Sequence, residues 1–372
     1  MNERKTCRVL HVLNELRPSG AESMLASAGN LWREAGISAT IVATGQNIGP
    51  YAERLRDSGF EIIHVPFAKS PRFFARFWQI LKSHPWDAIH LHTERANFYF
   101  GILAALSRRG RVIRTVHSAF DYSGVLRWRR AMQRRILSAA GVRFVAISEG
   151  VREIEESRFG VRCNVVENWY DSNRFRVPSV AERREARALL GIADDCLVFA
   201  IVGNCSDIKN HQLALRALAG AKLAQPWVLM HVGLEEEGFL ERELARSLGI
   251  AENVMFLGGR DDVPALLWAA DVFLHPSLRE GFGIAMLEAI ACQAQPIASD
   301  VPGLRSVIRE FEGMRGYPTD LTSWTEAVLA AAGTDRTSRR RMGELWSKRA
   351  RARFAIERGA NMYASLYRGE AP

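Results

Sequence analysis

A chain of 372 residues with a formal net charge of +9 is long enough for two domains of ordinary size, each burying a core without staples. Its 48% hydrophobic and 24% charged residues exclude a disordered chain, and no apolar run approaches the ~20 residues that span a bilayer. The opening Met1-Asn2-Glu3-Arg4-Lys5 and the short apolar run that ends at Asn14-Glu15 do not resemble a secretory leader, so the chain is expected in the cytoplasm.

Apolar strand-like runs alternate with helical patterns from the start, at residues 9–13, 39–43, 61–65, 88–91, 112–116, 144–147 and 164–167. Such βαβα alternation predicts a parallel sheet with helices on both faces. A charged stretch from Ala181 to Arg187 interrupts it, and the alternation resumes at 197–202, 227–232, 254–257, 272–274 and 296–298. The economical reading is α/β, with two tandem Rossmann-like doubly wound domains, 1–177 and 178–350, and the site in a cleft between the carboxyl ends of their sheets. Periodicity assigns the terminal helical segment, 351–372, to neither domain. Packing back on the N-terminal domain is one placement left open.

Charge is divided unevenly. Residues 1–177 hold 27 Lys or Arg against 16 Asp or Glu, whereas the remaining 23 bases face 25 acids. A basic front half suggests an anionic partner, either a phosphate-bearing acceptor or an anionic membrane face. Five cysteines, Cys7, Cys163, Cys196, Cys205 and Cys292, are scattered without paired spacing, which predicts reduced thiols rather than a disulfide framework or a zinc site.

Candidate functional residues sit where strands end. After the first strand, Pro18-Ser19-Gly20-Ala21-Glu22 opens a helix. There Gly20 could let the backbone near a phosphate, although any strand-to-helix turn favours a glycine. His90 and His92 share one face of a regular strand, as metal ligands do, but no Asp, Glu or Cys completes a cluster, and His90 reads as a satisfied strand-end histidine. His117, just beyond a buried run, is better placed to touch a reacting group. In the second half, Gly203-Asn204-Cys205-Ser206-Asp207-Ile208-Lys209 closes a strand and precedes a helix. With six lysines among 50 basic residues, Lys209 at such a turn suits a point-charge contact to phosphate, the alternative being a solvated loop lysine. Gly258-Gly259-Arg260 follows another strand, where backbone groups could meet a nucleobase.

The richest segment is Glu280-Gly281-Phe282-Gly283-Ile284-Ala285-Met286-Leu287-Glu288, directly after the strand-like run ending in His275-Pro276-Ser277. A strand, a glycine turn and a helix over 284–294 form an anion site, because free backbone N–H groups and the positive helix end converge there. Five residues at ~1.5 Å rise place Glu288 roughly 7 Å along the axis from Gly283, about the separation of a ribose from the distal phosphate of a nucleotide diphosphate. No Asp-x-Asp pair is present to hold a metal diphosphate, and no full G-x-G-x-x-G follows the first strand. A metal-free phosphate site therefore fits better than a nicotinamide one.

Taken in order, Gly20-Ala21-Glu22, His117, Ser148-Glu149-Gly150, Asn168 with Arg174-Phe175, Gly203 with Lys209, and the Glu280 to Glu288 run resemble the retaining glycosyltransferases of GT-B fold, the "glycosyl transferases group 1" with the Glu-x7-Glu motif. The resemblance implies a C-terminal domain that binds a nucleotide-diphospho-sugar, UDP- or GDP-linked, with no cofactor or metal. It implies an N-terminal domain that binds a glycan or lipid-linked acceptor. By it, Glu288 holds the ribose, Glu280 and the amides of Gly281, Phe282, Gly283 and Ile284 hold the sugar and diphosphate, Lys209 the phosphates, and His117 a sugar hydroxyl. Gly20, Gly203, Asn204 and Arg260 complete the donor side, and His92 and Ser148 stand on the acceptor side. Two positions depart from the pattern: Asn204 stands where the family commonly has Arg, and Ser306 where Glu is frequent.

Two basic amphipathic stretches, 72–82 and 125–137, read either as helices covering a sheet or as peripheral attachment to anionic lipid on the inner face of the membrane. A nucleotide-sugar epimerase on the same fold is the alternative enzyme. A non-catalytic nucleic-acid binder is the alternative outside enzymes, but the bases are not gathered with aromatics on a recognisable module, and no nucleic-acid partner is expected.

Overall fold

The computed structural model describes residues 6–238 and 240–370. They fall into two compact units, one of residues up to 169 together with those from 356 onward, and the other of residues between 170 and 355.

In the first unit, strands β1 (Cys7–Leu13), β2 (Ile37–Ala43), β3 (Glu61–His64), β4 (Ala88–Leu91), β5 (Arg111–Val116), β6 (Arg143–Ala146) and β7 (Cys163–Val165) alternate with helices α1 (Gly20–Glu34), α2 (Ala52–Asp57), α3 (Pro71–Ser83), α4 (Asn97–Ser107), α5 (Gly124–Ala139) and α6 (Glu149–Phe159). The sheet is parallel in the order β3-β2-β1-β4-β5-β6-β7, so the winding reverses between β1 and β4. Every residue of β1 but Arg8 is buried, as a strand covered on both faces requires.

The two basic amphipathic stretches part ways. α3 buries Phe73, Phe77, Ile80 and Leu81 in the core, so it covers the sheet. α5 buries only Arg134 and Leu137, leaving Val125 82% and Trp128 65% exposed, with Leu126, Met132 and Ile136 also outward. Arg134 is held inside by a bidentate pair with Glu155 at 2.7 and 3.1 Å.

The second unit runs through α7 (Val180–Leu189), β8 (Leu197–Val202), α8 (His211–Ala221), β9 (Trp227–Val232), α9 (Leu240–Ser247), β10 (Val254–Gly258), α10 (Val263–Ala269), β11 (Val272–His275), α11 (Ile284–Ala291), β12 (Gln295–Ser299), α12 (Pro302–Ile308), β13 (Gly316–Tyr317), α13 (Leu321–Gly333) and α14 (Arg336–Phe354). Its parallel sheet has the order β10-β9-β8-β11-β12-β13, with the reversal between β8 and β11. β13, two residues long, has no apolar run to announce it, and α11 stops at Ala291, short of residue 294, because Gln293 turns to φ +68°.

The division falls at Trp169/Tyr170 rather than at residue 177. Residues beyond Trp169 spend their hydrogen bonds inside the second unit: Tyr170 pairs with Ala355, Arg174 donates to the Asp261 carbonyl at 2.9 Å, and the Trp268 indole donates to the Arg176 carbonyl at 3.1 Å. At the other end, Ala355 takes an extended conformation that ends α14, so residues 351–354 belong to the second unit. The last helix, α15 (Ile356–Arg368), belongs to the first. It buries Ile356, Ala360, Tyr363, Ala364, Leu366 and Tyr367, and Trp32 of α1 donates its indole N–H to the Ala360 carbonyl at 2.9 Å.

One carboxylate organises the base of the second sheet. Asp271, just before β11, accepts from Arg183 at 2.7 Å, from Arg187 at 2.6 Å and from the Val198 amide at 2.9 Å, tying α7 to β8 and β11. The Arg187 side chain is 3% exposed. Its remaining N–H groups reach the carbonyls of Ala269, Asp194 and Cys196, each at 3.1 Å. Removing one member of a buried pair leaves the other uncompensated. Asp271→Ala is therefore expected to destabilise the second unit by about 3–5 kcal/mol in urea unfolding, whereas Arg183→Ala, at the more exposed partner, costs less than half of that.

Candidate active site

Loops that follow β8 and β11 leave adjacent strands on either side of the winding reversal, where an open parallel sheet leaves a crevice at its carboxyl edge. The Leu278 amide donates to the Ile208 carbonyl at 2.8 Å, fastening one loop to the other. This brings Lys209 Nζ to 2.7 Å from Glu280 Oε2, although the two are 71 residues apart. His275 Nε2, from the end of β11, lies 3.1 Å from the same oxygen, and the Gly281 amide donates to Glu280 Oε1 at 3.1 Å.

Burial alone raises the Glu280 pKa, but the His275 hydrogen bond and the Lys209 charge outweigh it and hold the carboxyl well below the usual range. His275 is itself lowered by burial, against the pull of Glu280, and so donates Nε2–H as a neutral ring. Two glycines shape the backbone here. Gly283 caps α11 at φ +89°, a left-handed conformation that L side chains avoid. Gly303, in the first turn of α12, passes so close that a Cβ would lie 2.1 Å from the Glu280 carbonyl oxygen.

The remaining donor-side candidates divide. Gly283, Ile284 and Glu288 lie on the N-terminal turns of α11, with Ile284 and Glu288 half-buried. Gly281 turns its amide onto Glu280. Phe282 contributes a buried ring that meets Phe354 edge to face at 5.7 Å between centroids. Gly203 ends β8 at φ +154°. Asn204 does not extend as a cation would: its Oδ1 accepts from the Leu234 amide at 2.9 Å, joining the loops after β8 and β9. Arg260 is exposed and bound to Asp262, with Nε to Oδ1 at 2.7 Å.

In the first unit the histidines form a chain of their own. His11 Nδ1 meets His92 Nε2 at 3.0 Å, and His92 Nδ1 meets His117 Nε2 at 2.9 Å, linking β1 to the ends of β4 and β5. Burial lowers all three, His117 to about 4 and His11 to about 3, so the chain is uncharged at neutral pH. His117 Nδ1 is buried without a hydrogen-bond partner. His90 is satisfied on both nitrogens, by Tyr367 at 2.8 Å and Thr115 at 2.7 Å. Gly20 begins α1 and is exposed; Ser19, not Gly20, caps that helix by accepting from Ala21 at 3.3 Å. Ser148 is fully buried and caps α6, accepting from the Val151 amide at 3.1 Å.

Sequence reasoning missed His11 and His275. His11 lies inside β1, where an apolar run hides a polar member. His275 carried a usable signal, being the last strand residue five positions before Glu280.

Residues 182–348 match the family "Glycosyl transferases group 1", and residues 18–174 match "Glycosyltransferase Family 4". EpsF of Bacillus subtilis (strain 168), provisionally assigned as a glycosyltransferase, is 26% identical over 354 residues, 89% of each chain. The UDP-Gal:alpha-D-GlcNAc-diphosphoundecaprenol alpha-1,3-galactosyltransferase of Escherichia coli is 25% identical over 284 residues, 72% of this chain and 71% of that one. Among solved structures, Anabaena Alr3699/HepE in complex with UDP and glucose is similar with a TM-score of 0.80 and 20% identity, covering 97% of this chain and 99% of that chain. The two family matches lie on the two doubly wound units and the likeness runs nearly end to end: the chain is a glycosyltransferase of the group 1 family, with the GT-B fold.

Proposed function

We propose that the protein is a retaining hexosyltransferase that moves a sugar from a UDP- or GDP-sugar to a hydroxyl of a glycan or lipid-linked acceptor, in cell-surface polysaccharide or glycolipid synthesis. The observation that carries this reading is the Lys209–Glu280–His275 cluster, seated beside the glycine-capped start of α11. In the free protein each charge of the cluster compensates the other. An arriving diphosphate competes for Lys209 and for the helix-start amides, and Glu280 is then released to accept hydrogen bonds from the sugar hydroxyls, while Glu288, one helical turn further on, holds the ribose. Charge growing on the departing diphosphate meets a cation and dipoles already in place, the arrangement that costs least reorganisation. The acceptor hydroxyl attacks from the leaving-group face with a phosphate oxygen as base, which retains the anomeric configuration, and no metal is needed to hold the diphosphate. His117, a neutral imidazole with an unpartnered nitrogen, suits a sugar hydroxyl. Asn204 is committed to a loop contact, so the positive side of the phosphate site rests on Lys209. The names of the Escherichia coli and Anabaena relatives, one a UDP-galactose-dependent transferase acting on a lipid diphosphate and one bound to UDP and glucose, support the donor and acceptor classes.

α5 supports attachment to the inner face of the membrane. Its outward Val125, Trp128, Met132 and Ile136 alternate with Arg127, Arg129 and Arg135, the composition of an interfacial helix.

Saturating UDP- or GDP-sugar is expected to stabilise the protein, by about 2.7 kcal/mol at 100 times the dissociation constant; thermal-shift profiles flat for UDP-, GDP- and ADP-sugars alike would overturn the donor class. Lys209→Ala and Glu280→Ala are each expected to reduce sugar transfer by ~100-fold or more, and wild-type turnover in folded variants would remove both from the mechanism. Flotation with anionic liposomes is expected to carry the protein at low salt and release it at high salt. Replacement of Trp128 and Ile136 by Ser should abolish the association, and salt-insensitive recovery in the pellet of unbound protein would sink the membrane assignment.

A further inference from the structure

A second cluster of chemistry-bearing residues lies beside the Lys209 loop. Cys205 comes from the loop after β8, His211 from the first position of α8, and His231 from β9, and all three are buried. Cys205 Sγ is 3.8 Å from His211 Nδ1 and 3.6 Å from His231 Nε2, and the two nitrogens are 3.0 Å apart. The same three atoms thus close a triangle.

Hydrogen bonds alone satisfy that triangle poorly. An imidazole nitrogen offers either one proton or one lone pair. If one histidine nitrogen donates to the other, the acceptor's only lone pair is used and so is the donor's only proton. The thiol is left to share one of them. His231 Nδ1 is buried without a hydrogen bond to a neighbouring residue.

A cation at the centre would meet all three lone pairs at once. Tetrahedral coordination with metal–sulfur near 2.3 Å and metal–nitrogen near 2.0–2.1 Å spaces the ligand atoms about 3.3–3.6 Å apart, close to the triangle found. Two carboxylates, Glu241 and Glu235, act on both Cys205 and His231, Glu235 being itself paired with Arg242 at 2.9 Å. Among the described residues these three side chains alone converge to ligand distance at this place, so the fourth vertex falls to a water molecule.

We propose that Cys205 Sγ, His211 Nδ1 and His231 Nε2 bind a divalent, thiolate- and imidazole-preferring metal ion of the zinc class, which pins the Gly203–Asn210 loop to β9. Thiolate and imidazole ligands in tetrahedral array select zinc over magnesium or calcium. Coordination exchanges the Cys205 S–H bond for a sulfur–metal bond; the thiol proton passes to solvent, both imidazoles bind as neutral ligands, and no electron is transferred. The ion is structural, holding the backbone that precedes Lys209, and it revises the expectation, drawn from spacing, that the cysteines bind no zinc. The proposal does not depend on the assigned reaction.

The test uses the full-length, tag-free protein. After chelator treatment and dialysis it is titrated with cobalt(II), and separately with zinc(II), with bound metal measured by elemental analysis. One equivalent per chain is expected, with a near-ultraviolet thiolate-to-cobalt band, visible ligand-field bands of tetrahedral intensity and a zinc-dependent rise in melting temperature. Cys205→Ser should lose the charge-transfer band, His231→Gln should lose stoichiometric binding, and Cys196→Ser should change neither. A cobalt spectrum no different from the octahedral aqua ion, with zinc leaving the wild-type melting temperature unmoved, overturns the proposal. So does stoichiometric metal retained in folded Cys205→Ser and His231→Gln. Should a variant fail to fold, the wild-type cobalt spectrum alone decides.

Discussion

A carboxylate taken out of water must be compensated or protonated, and much of the candidate site follows from how Glu280 is compensated. Its neighbours supply one full charge from Lys209, one neutral donor from His275 and one backbone amide from Gly281. Each fixes a piece of chain: the loop after β8, the end of β11 and the approach to α11. The same contacts keep Glu280 ionised. A salt bridge of this kind is weak evidence of stability. Its value here is positional, because it holds the cation and the helix start in register before any ligand arrives.

The winding of the second sheet makes that meeting possible. β8 and β11 are neighbours although β9, β10 and three helices separate them along the chain. Reversal of strand order therefore brings two loops to the same edge, and the Leu278 to Ile208 hydrogen bond closes the join. Below it, Asp271 plays the equivalent part at the opposite ends of the same strands, gathering Arg183, Arg187 and the Val198 amide. Asp271 before β11 and Glu280 beyond it thus each tie the strand to its surroundings.

The first unit meets the same difficulty with neutral groups. Its histidine chain from His11 through His92 to His117 stays uncharged because burial penalises the protonated ring, and each internal contact is an imidazole-to-imidazole hydrogen bond. The chain leaves one unsatisfied nitrogen at each end, on His11 and on His117. His90 shows the contrast. With Tyr367 and Thr115 on its two nitrogens it has no capacity left, and its role is to hold α15 against the sheet.

Much of this was legible in the residues. Alternating apolar runs marked twelve strands within a few positions, because a parallel strand covered on both faces must be continuously apolar; β13 was missed since two residues carry no such pattern. The Glu280 to Glu288 segment announced a strand, a glycine turn and a helix through local rules of backbone freedom, and the family pattern rests on the same residues. Local sequence could not say that Asn204 spends its carbonyl oxygen on Leu234, that Ser148 is committed to a helix cap, or that Phe282 belongs to the core. Those outcomes depend on which neighbours the fold supplies. Nor could spacing reveal that Cys205, His211 and His231 converge, since the third comes from an adjacent strand. The sequence by itself determined the elements, their order and the residue types available for chemistry, because those follow from periodicity and backbone preference. The tertiary structure alone decided which side chains are spent on packing and which remain for a ligand, because hydrogen-bond partners and burial are set by contacts between residues far apart in the chain.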